Sequence, residues 1–439
     1  MASSLRLFGG KEDTTNLSTD SDTAAYPRAS AASRESGGLF HRTFESLGDP
    51  SFRYYFFGLL LLMGAVNMQM VARSVLAFEL TDSVLAVGYV GAGFAPPILL
   101  FSLWGGAIAD RVDRKRLIQI GQLGVTLIAL AVGVSIITDT VTIWHLIAAA
   151  LAQGTLWSFL MPARQAIIPQ IVGDKLMINA IALSASGMSL MTLAAPGIGG
   201  VLYEVFGPGT VYFVIAGMAV ASFLFTTQLP DVGRMKKKAG SAIIEDMKEG
   251  FRYVAGKKIV LLLLLMALST AILAMPFRSL LIVLVADVFD RGAGAVGLLL
   301  SMIGLGALIG SLAFAGMRAS SPRGMILIGS TVLSGIGILA ATLSPSYSVL
   351  VVIMIFVGLG DSGRRTLNNA LIMEQVDDEH RGRVMGLYMM NFGLMPAGAI
   401  PIAALAVAFG IREALALSAV ILTVIGVGFL LFSRRVREL

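Results

Sequence analysis

Apolar stretches of about 20 residues recur roughly twelve times along this chain, separated by short polar turns. That is the length an α-helix needs to cross roughly 30 Å of hydrocarbon. Inside lipid no water reaches the backbone, so a spanning segment must satisfy its own N–H and C=O groups. Helices do this alone. Barrel strands would read as short alternating segments, and these runs do not alternate. Composition points the same way: 56% of residues are hydrophobic and only 14% charged, where a soluble domain averages roughly 25%. The expected fold class is an all-α integral membrane protein with about twelve transmembrane helices.

Hydropathy places spans near 54–77, 84–107, 117–137, 142–163, 177–202, 210–229, 259–285, 295–317, 325–343, 348–373, 384–409 and 412–432. The implied organisation is a disordered N-terminal tail (1–45), a six-helix bundle (46–229), a polar linker (230–258), a second six-helix bundle (259–433) and a short C-terminus (434–439). The first 38 residues are rich in Ser, Thr, Ala and Gly and show no signal-peptide core. Within the linker, Ile243, Ile244, Met247, Phe251 and Val254 recur at helical spacing among charges. Such a helix lies on the membrane interface or serves as a surface linker.

The net charge of +6 is a topological signal, not a nucleic-acid one. Arg111, Arg114, Lys115, Arg116, Arg164, Lys175, Lys236–Lys238, Lys257, Lys258, Arg318, Arg323, Arg381, Arg383 and Arg434–Arg437 all fall on one side if the N-terminus is inside. Positive loops face the cytoplasm, so both termini are expected there, in an inner (plasma) membrane. There is no cysteine, and His41, His145 and His380 are scattered. Disulfides, thiolate metal sites and cysteine nucleophiles are thereby removed, and no zinc-hydrolase motif occurs. No Gly-x-x-x-x-Gly-Lys-Ser/Thr loop marks an ATP-driven pump. Neither enzyme, metal nor cofactor is expected.

The two halves echo each other, as duplicated transporter bundles do. Arg73-Ser-Val-Leu answers Arg278-Ser-Leu-Leu; Val87-Gly88 answers Val296-Gly297; Arg164-Gln-Ala-Ile-Ile answers Asn368-Asn-Ala-Leu-Ile. The three matches keep their order and fall on corresponding spans.

Between spans two and three runs Gly106-Ala-Ile-Ala-Asp110-Arg111-Val-Asp113-Arg114-Lys115-Arg116. It resembles the signature loop of the major facilitator superfamily, with Asp113 where many members have Gly. Thr43-Phe-Glu-Ser-Leu47, Glu79-Leu-Thr-Asp-Ser83, Glu249-Gly-Phe-Arg-Tyr253, Ala195-Pro-Gly-Ile-Gly-Gly200 and Arg381-Gly-Arg-Val-Met385 resemble the branch holding the enterobactin exporter and macrolide efflux proteins. The resemblance implies two pseudo-symmetric six-helix bundles, a monomer, a small-molecule substrate, alternating access and efflux driven by the proton gradient. It also implies a latch (Gly106, Asp110, Arg111, Arg114, Arg381, Arg383) in which Asp110 caps or pairs with the start of span eleven at Arg381-Gly-Arg383; the alternative is that these charges only fix topology. Uptake by symport or facilitation, and a sensor of transporter descent, stay open as alternatives.

Charges within spans are costly and are functional candidates by default. Arg73 and Arg278 sit at matching places in spans one and seven, where each attracts an anionic substrate, pairs with Glu79 or Asp287, or snorkels outward. Asp361 lies near mid-span ten with Arg364 and Arg365 at i+3 and i+4, either a proton-coupling acid or a fixed bridge. Asn67, Gln69 and Gln153 offer uncharged hydrogen bonds along a substrate path or between helices. Pro162 and Pro169 are expected to end span four, and Pro96, Pro97, Pro196, Pro276, Pro396 and Pro401 to kink their spans.

Overall fold

The computed structural model describes residues 44–101, 112–230, 243–315, 322–377 and 380–439. Every regular element among them is a helix. In the first half these are α1 (Pro50–Thr81), α2 (Val84–Phe101), α3 (Arg114–Ile137), α4 (Ile143–Gly173), α5 (179–206) and α6 (208–227). The linker helix α7 (Ile243–Gly256) precedes the second half. That half holds α8 (Lys258–Phe289), α9 (Ala293–Ala315), α10 (Arg323–Thr342), α11 (Tyr347–Gln375), α12 (381–409), α13 (Ile411–Phe432) and a terminal turn, α14 (Arg434–Arg437). Asn179–Thr227 is one apolar run of 49 residues, but Gly207 has φ 81°. The left-handed glycine breaks the run there, giving two crossings and twelve spans in all among the described residues.

Local chemistry sets the helix ends. Asp49 accepts from the amides of Ser51 (2.7 Å) and Phe52 (3.1 Å), so it caps α1, with Pro50 at the first helical position. Asp113 caps α3, and Ser346 caps α11. The far ends of α1 and α8 close on left-handed aspartates, Asp82 (φ 47°) and Asp290 (φ 49°). The duplicated halves thus end their first helix by the same device.

The prolines act in two ways. Helix breaks at Gly93–Phe94, Ala274 and Leu394–Met395 fall just before Pro96, Pro276 and Pro396, where the missing N–H and ring disfavour continuation. Span four departs from expectation: α4 runs through Pro162 and Pro169 to Gly173 (φ 65°). In a bundle, neighbours can repair backbone groups freed by proline. Tyr55 ties α1 to the same stretch, donating its hydroxyl to the carbonyl of Arg164 at 3.1 Å.

The buried apolar residues fall into three clusters. One joins both halves on the side away from the termini, with Met68, Val71 and Ala195 beside Val296, Leu299 and Ala403. The other two lie toward the termini and stay separate. One belongs to the first half (Phe52, Leu62, Ile118, Leu160, Ile167) and one to the second (Leu263, Leu327, Leu371, Val384). The core is therefore continuous at one membrane surface and divided at the other.

Small residues make the joined side possible. A Cβ on Gly297 would meet the carbonyl of Pro196 and Cα of Gly200, and one on Gly88 would meet Ala403. Two polar contacts cross the same seam: Gly197 N donates to Ser301 Oγ (3.0 Å), and Gly294 N to the Glu204 carboxylate (2.9 Å). The far surface is sealed.

The linker helix docks on the second half. Glu249 pairs with Arg383 at 2.8 Å, and Tyr253 stacks on His380 with ring centroids 4.2 Å apart. Asp377 accepts from Tyr253 (2.8 Å) and Lys257 (2.9 Å). Val254 is buried, whereas Phe251 is exposed.

Two predictions follow from these contacts. Gly297→Val pushes α5 from α9 and loosens the seal. A Ser301→Cys label, introduced into this naturally cysteine-free chain, should then react faster with a membrane-impermeant maleimide added at the far face. About a tenfold gain corresponds to a bias of ~1.4 kcal/mol; an unchanged rate would show that the glycine contact does not hold the seal. Hydrogen bonds from Lys257 and Tyr253 hold the Asp377 carboxyl below its ordinary range. A depressed carboxyl contributes above its unfolded pKa and loses that contribution as pH falls through its folded value. Asp377→Asn should therefore speed amide exchange in α7 at neutral pH. The difference from the parent should shrink below about pH 4.

Candidate functional site

The densest group of charges inside the spans centres on Asp361, about 21 Å along α11 at 1.5 Å per residue. Arg364 and Arg365, one helical turn on, both donate to its carboxylate, Arg365 at 3.3 Å. A third guanidinium comes from another helix: Arg278 Nη2 lies 3.1 Å from Asp361 Oδ2. The break at Ala274 starts the helical segment that carries Arg278. One carboxylate thus serves three cations, and the group carries a surplus of two positive charges. Arg364 is almost enclosed, while the Arg365 side chain is 50% exposed.

In the first half three of the expected residues converge. Arg73 Nη1 donates to Gln153 Oε1 at 2.9 Å, and Gln153 Nε2 donates to Gln69 Oε1 at 2.7 Å. All three are buried. Among the described residues Arg73 has no carboxylate within ion-pair distance, because Glu79 accepts instead from the Tyr203 hydroxyl at 2.5 Å. Asn67 bonds to the Met63 carbonyl of its own helix (2.8 Å) and joins no network.

The latch is described only in part. Gly106, Asp110 and Arg111 lie outside the described residues, as do the tail 1–43 and the loop 316–321. Arg114 is buried and donates to the Ala166 carbonyl at 2.8 Å, tying α3 to α4. Arg381 opens α12, and Arg383 pairs with Glu249 of the linker helix.

Other polar residues matter here too, and Arg164, read from the sequence as a loop cation after span four, lies inside α4 instead. Arg164 is 3% exposed, its guanidinium lies 5.9 Å from the Tyr55 ring centre, and its Nε and Nη1 have no partner among the described residues. Its repeat counterpart, Asn368, is equally buried and donates to the Leu263 carbonyl at 3.0 Å. The repeat alignment pairs the two positions, so the signal was present. Tyr388 and Asn391 line a cleft with Arg364 and Arg365. Nothing in the local sequence distinguishes them from other residues of a span.

Twelve spans, a seam of small residues between two halves and charges gathered in the interior define a major facilitator fold, the framework of a membrane transporter and not of an enzyme. The crystal structure of the nucleoside transporter NupG superposes with a TM-score of 0.71 at 13% identity, covering 87% of this chain and 98% of that one. An inward-facing, unoccupied bacterial homologue of the lysosomal transporter Spinster gives 0.65 at 16% identity, covering 88% and 98%. The sequence profile of the transmembrane secretion effectors matches residues 43–439, and the chain belongs to that family. It is similar to the staphyloferrin A transporter of Staphylococcus aureus, 26% identical over 78% of this chain and 86% of that protein. It is also similar to the multidrug efflux pump Tap of Mycolicibacterium fortuitum (26%; 86% and 95%) and the enterobactin exporter of Shigella boydii (25%; 77% and 81%).

Removing one partner of a buried ion pair strands the other charge, at about 3–5 kcal/mol. Asp361→Asn strands buried Arg364 and Arg278 and should lower thermal stability in detergent by that order. Arg365→Gln, at the exposed edge, should cost under about 1 kcal/mol. Melting followed by size-exclusion fluorescence separates the two; equal stability of Asp361→Asn and the parent would refute the bridge.

Proposed function

We propose that this chain exports a small amphipathic compound across a bacterial inner membrane by alternating access, with the proton gradient as its energy source. The observation that carries the reading is the divided core: joined at the far surface, separate toward the termini. Two packed bodies of that kind can rock about the central seam, exposing the interior to each side in turn. Basic loops favour cytoplasmic termini, so this form is the one that loads from the cytoplasm. Export agrees with what the names of the related efflux proteins describe. A monomer suffices, since both halves of the pathway lie in one chain.

The three guanidiniums around Asp361 support a fixed bridge there over a coupling acid. Neutralising this carboxylate in each cycle would repeatedly strand buried cations. Uptake by symport is the competing reading, and direction decides between them.

The test uses purified protein in liposomes and inside-out vesicles, with a panel of fluorescent dyes and a macrolide. Acidifying the vesicle interior should drive accumulation in inside-out vesicles, and a protonophore should abolish it. Accumulation by intact cells would establish uptake instead. Transport indifferent to the gradient would remove proton coupling and leave a facilitator.

A further inference from the structure

Beside the Asp361 bridge, a cleft opens between α8, α11 and α12. Its polar wall carries Arg364, Arg365, Asn368, Tyr388 and Asn391. The wall contributed by α8 is largely apolar, with Ala267, Ala271 and Met275. We propose that this cleft binds the carboxylate end of an amphipathic organic anion, and that such anions are the transported class; the second clause rests on the export reading above.

Charge is the first ground. Asp361, which lies outside the cleft, offsets one of the three guanidiniums, and no acidic residue lines the cleft among the described residues. Two arginines border a space with no counter-charge of its own. A cation entering it would be repelled at low dielectric, and an anion attracted.

Hydrogen-bonding capacity is the second ground. Buried polar groups in folded proteins are nearly always paired. Among the described residues Arg364 Nε and Asn391 Nδ2, both donors, are buried without partners, against one unpartnered acceptor on the same wall, Asn368 Oδ1. Arg364 itself is only 7% exposed. Carboxylates are acceptor-only and take two or more such donors at once, in the geometry a guanidinium presents. The Arg365 side chain, half-exposed at the edge of the group, meets the ligand first, and Arg364 and Asn391 receive it. The cleft holds about 30 Å³, room for the carboxylate itself, and the Ala267, Thr270, Ala271 and Met275 face of α8 borders the hydrocarbon part where it leaves the cleft.

Two xanthene dyes of similar frame and opposite charge test the site: carboxyfluorescein and tetramethylrhodamine ethyl ester. Binding is read as fluorescence anisotropy with the full-length protein in dodecyl maltoside, independently of transport. Carboxyfluorescein should bind, more weakly as salt rises, and the cationic ester should not. Arg365→Gln should weaken carboxyfluorescein about tenfold, as the loss of one charge-assisted hydrogen bond does, while Arg365→Lys recovers part of it. Asn391→Asp, which adds a negative charge to the same wall, should weaken it at least as much and serves if Arg365→Gln does not elute as a single species.

No binding of carboxyfluorescein, equal binding of both dyes, or affinity unchanged in both variants would overturn the site. Displacement by phosphatidylglycerol at concentrations comparable to the dye's would assign it to a lipid headgroup and overturn the substrate assignment. The same preparation reconstituted in liposomes keeps the two proposals apart. Binding without transport leaves the site and removes the export reading; transport indifferent to Arg365→Gln leaves export and overturns the assignment of the cleft to the transported class.

Discussion

Close packing of glycine-bearing helix faces, α5 on α9 and α2 on α12, is the contact on which the rest of this molecule depends. Lipid tails are as apolar as leucine, so the hydrophobic effect gives two membrane helices little reason to prefer each other. Dispersion and backbone approach must supply it, and only residues without bulk permit that approach. Gly200, Gly297 and Gly88 concentrate it at one surface. Each half keeps its own apolar cluster at the other. Because those clusters are complete in themselves, the halves can part there without exposing a torn core.

The interior charges obey a second constraint. A cation in hydrocarbon is tolerated where it is paired, hydrogen-bonded or facing a water-filled cavity. The two halves meet that demand differently from matching positions. Arg278 finds a carboxylate, Asp361, whereas Arg73 finds only the amide chain of Gln153 and Gln69. Arg164 rests near the face of Tyr55, where the halves' repeat puts an asparagine in the other bundle. Duplication supplied the scaffold, and divergence at these positions made the interior asymmetric.

Much of this was legible in the sequence, for reasons that also mark the boundary. Spans were readable because lipid imposes both their length and their apolarity. The Asp361–Arg364–Arg365 group was readable because all three share a helix face at i+3 and i+4. What was not readable lies between helices. Arg278 is 83 positions from Asp361 and Gln153 is 80 from Arg73, and no spacing rule connects them. Of the alternatives open to Arg73, pairing with Glu79 is not the one seen among the described residues. Six residues along a helix is 600° of rotation at about 100° each, which turns Glu79 well away from Arg73 and toward Tyr203. Pro162 and Pro169 predict an early end to span four because proline usually ends helices in water. Within a bundle, α4 continues to Gly173.

The linker helix joins the halves in sequence, yet its described ion pairs and ring contacts reach only the second one, through Arg383, His380 and Asp377. In mechanical terms it is ballast fastened to one moving part. A label placed on it therefore reports the position of the second half, not that of the joint between the two.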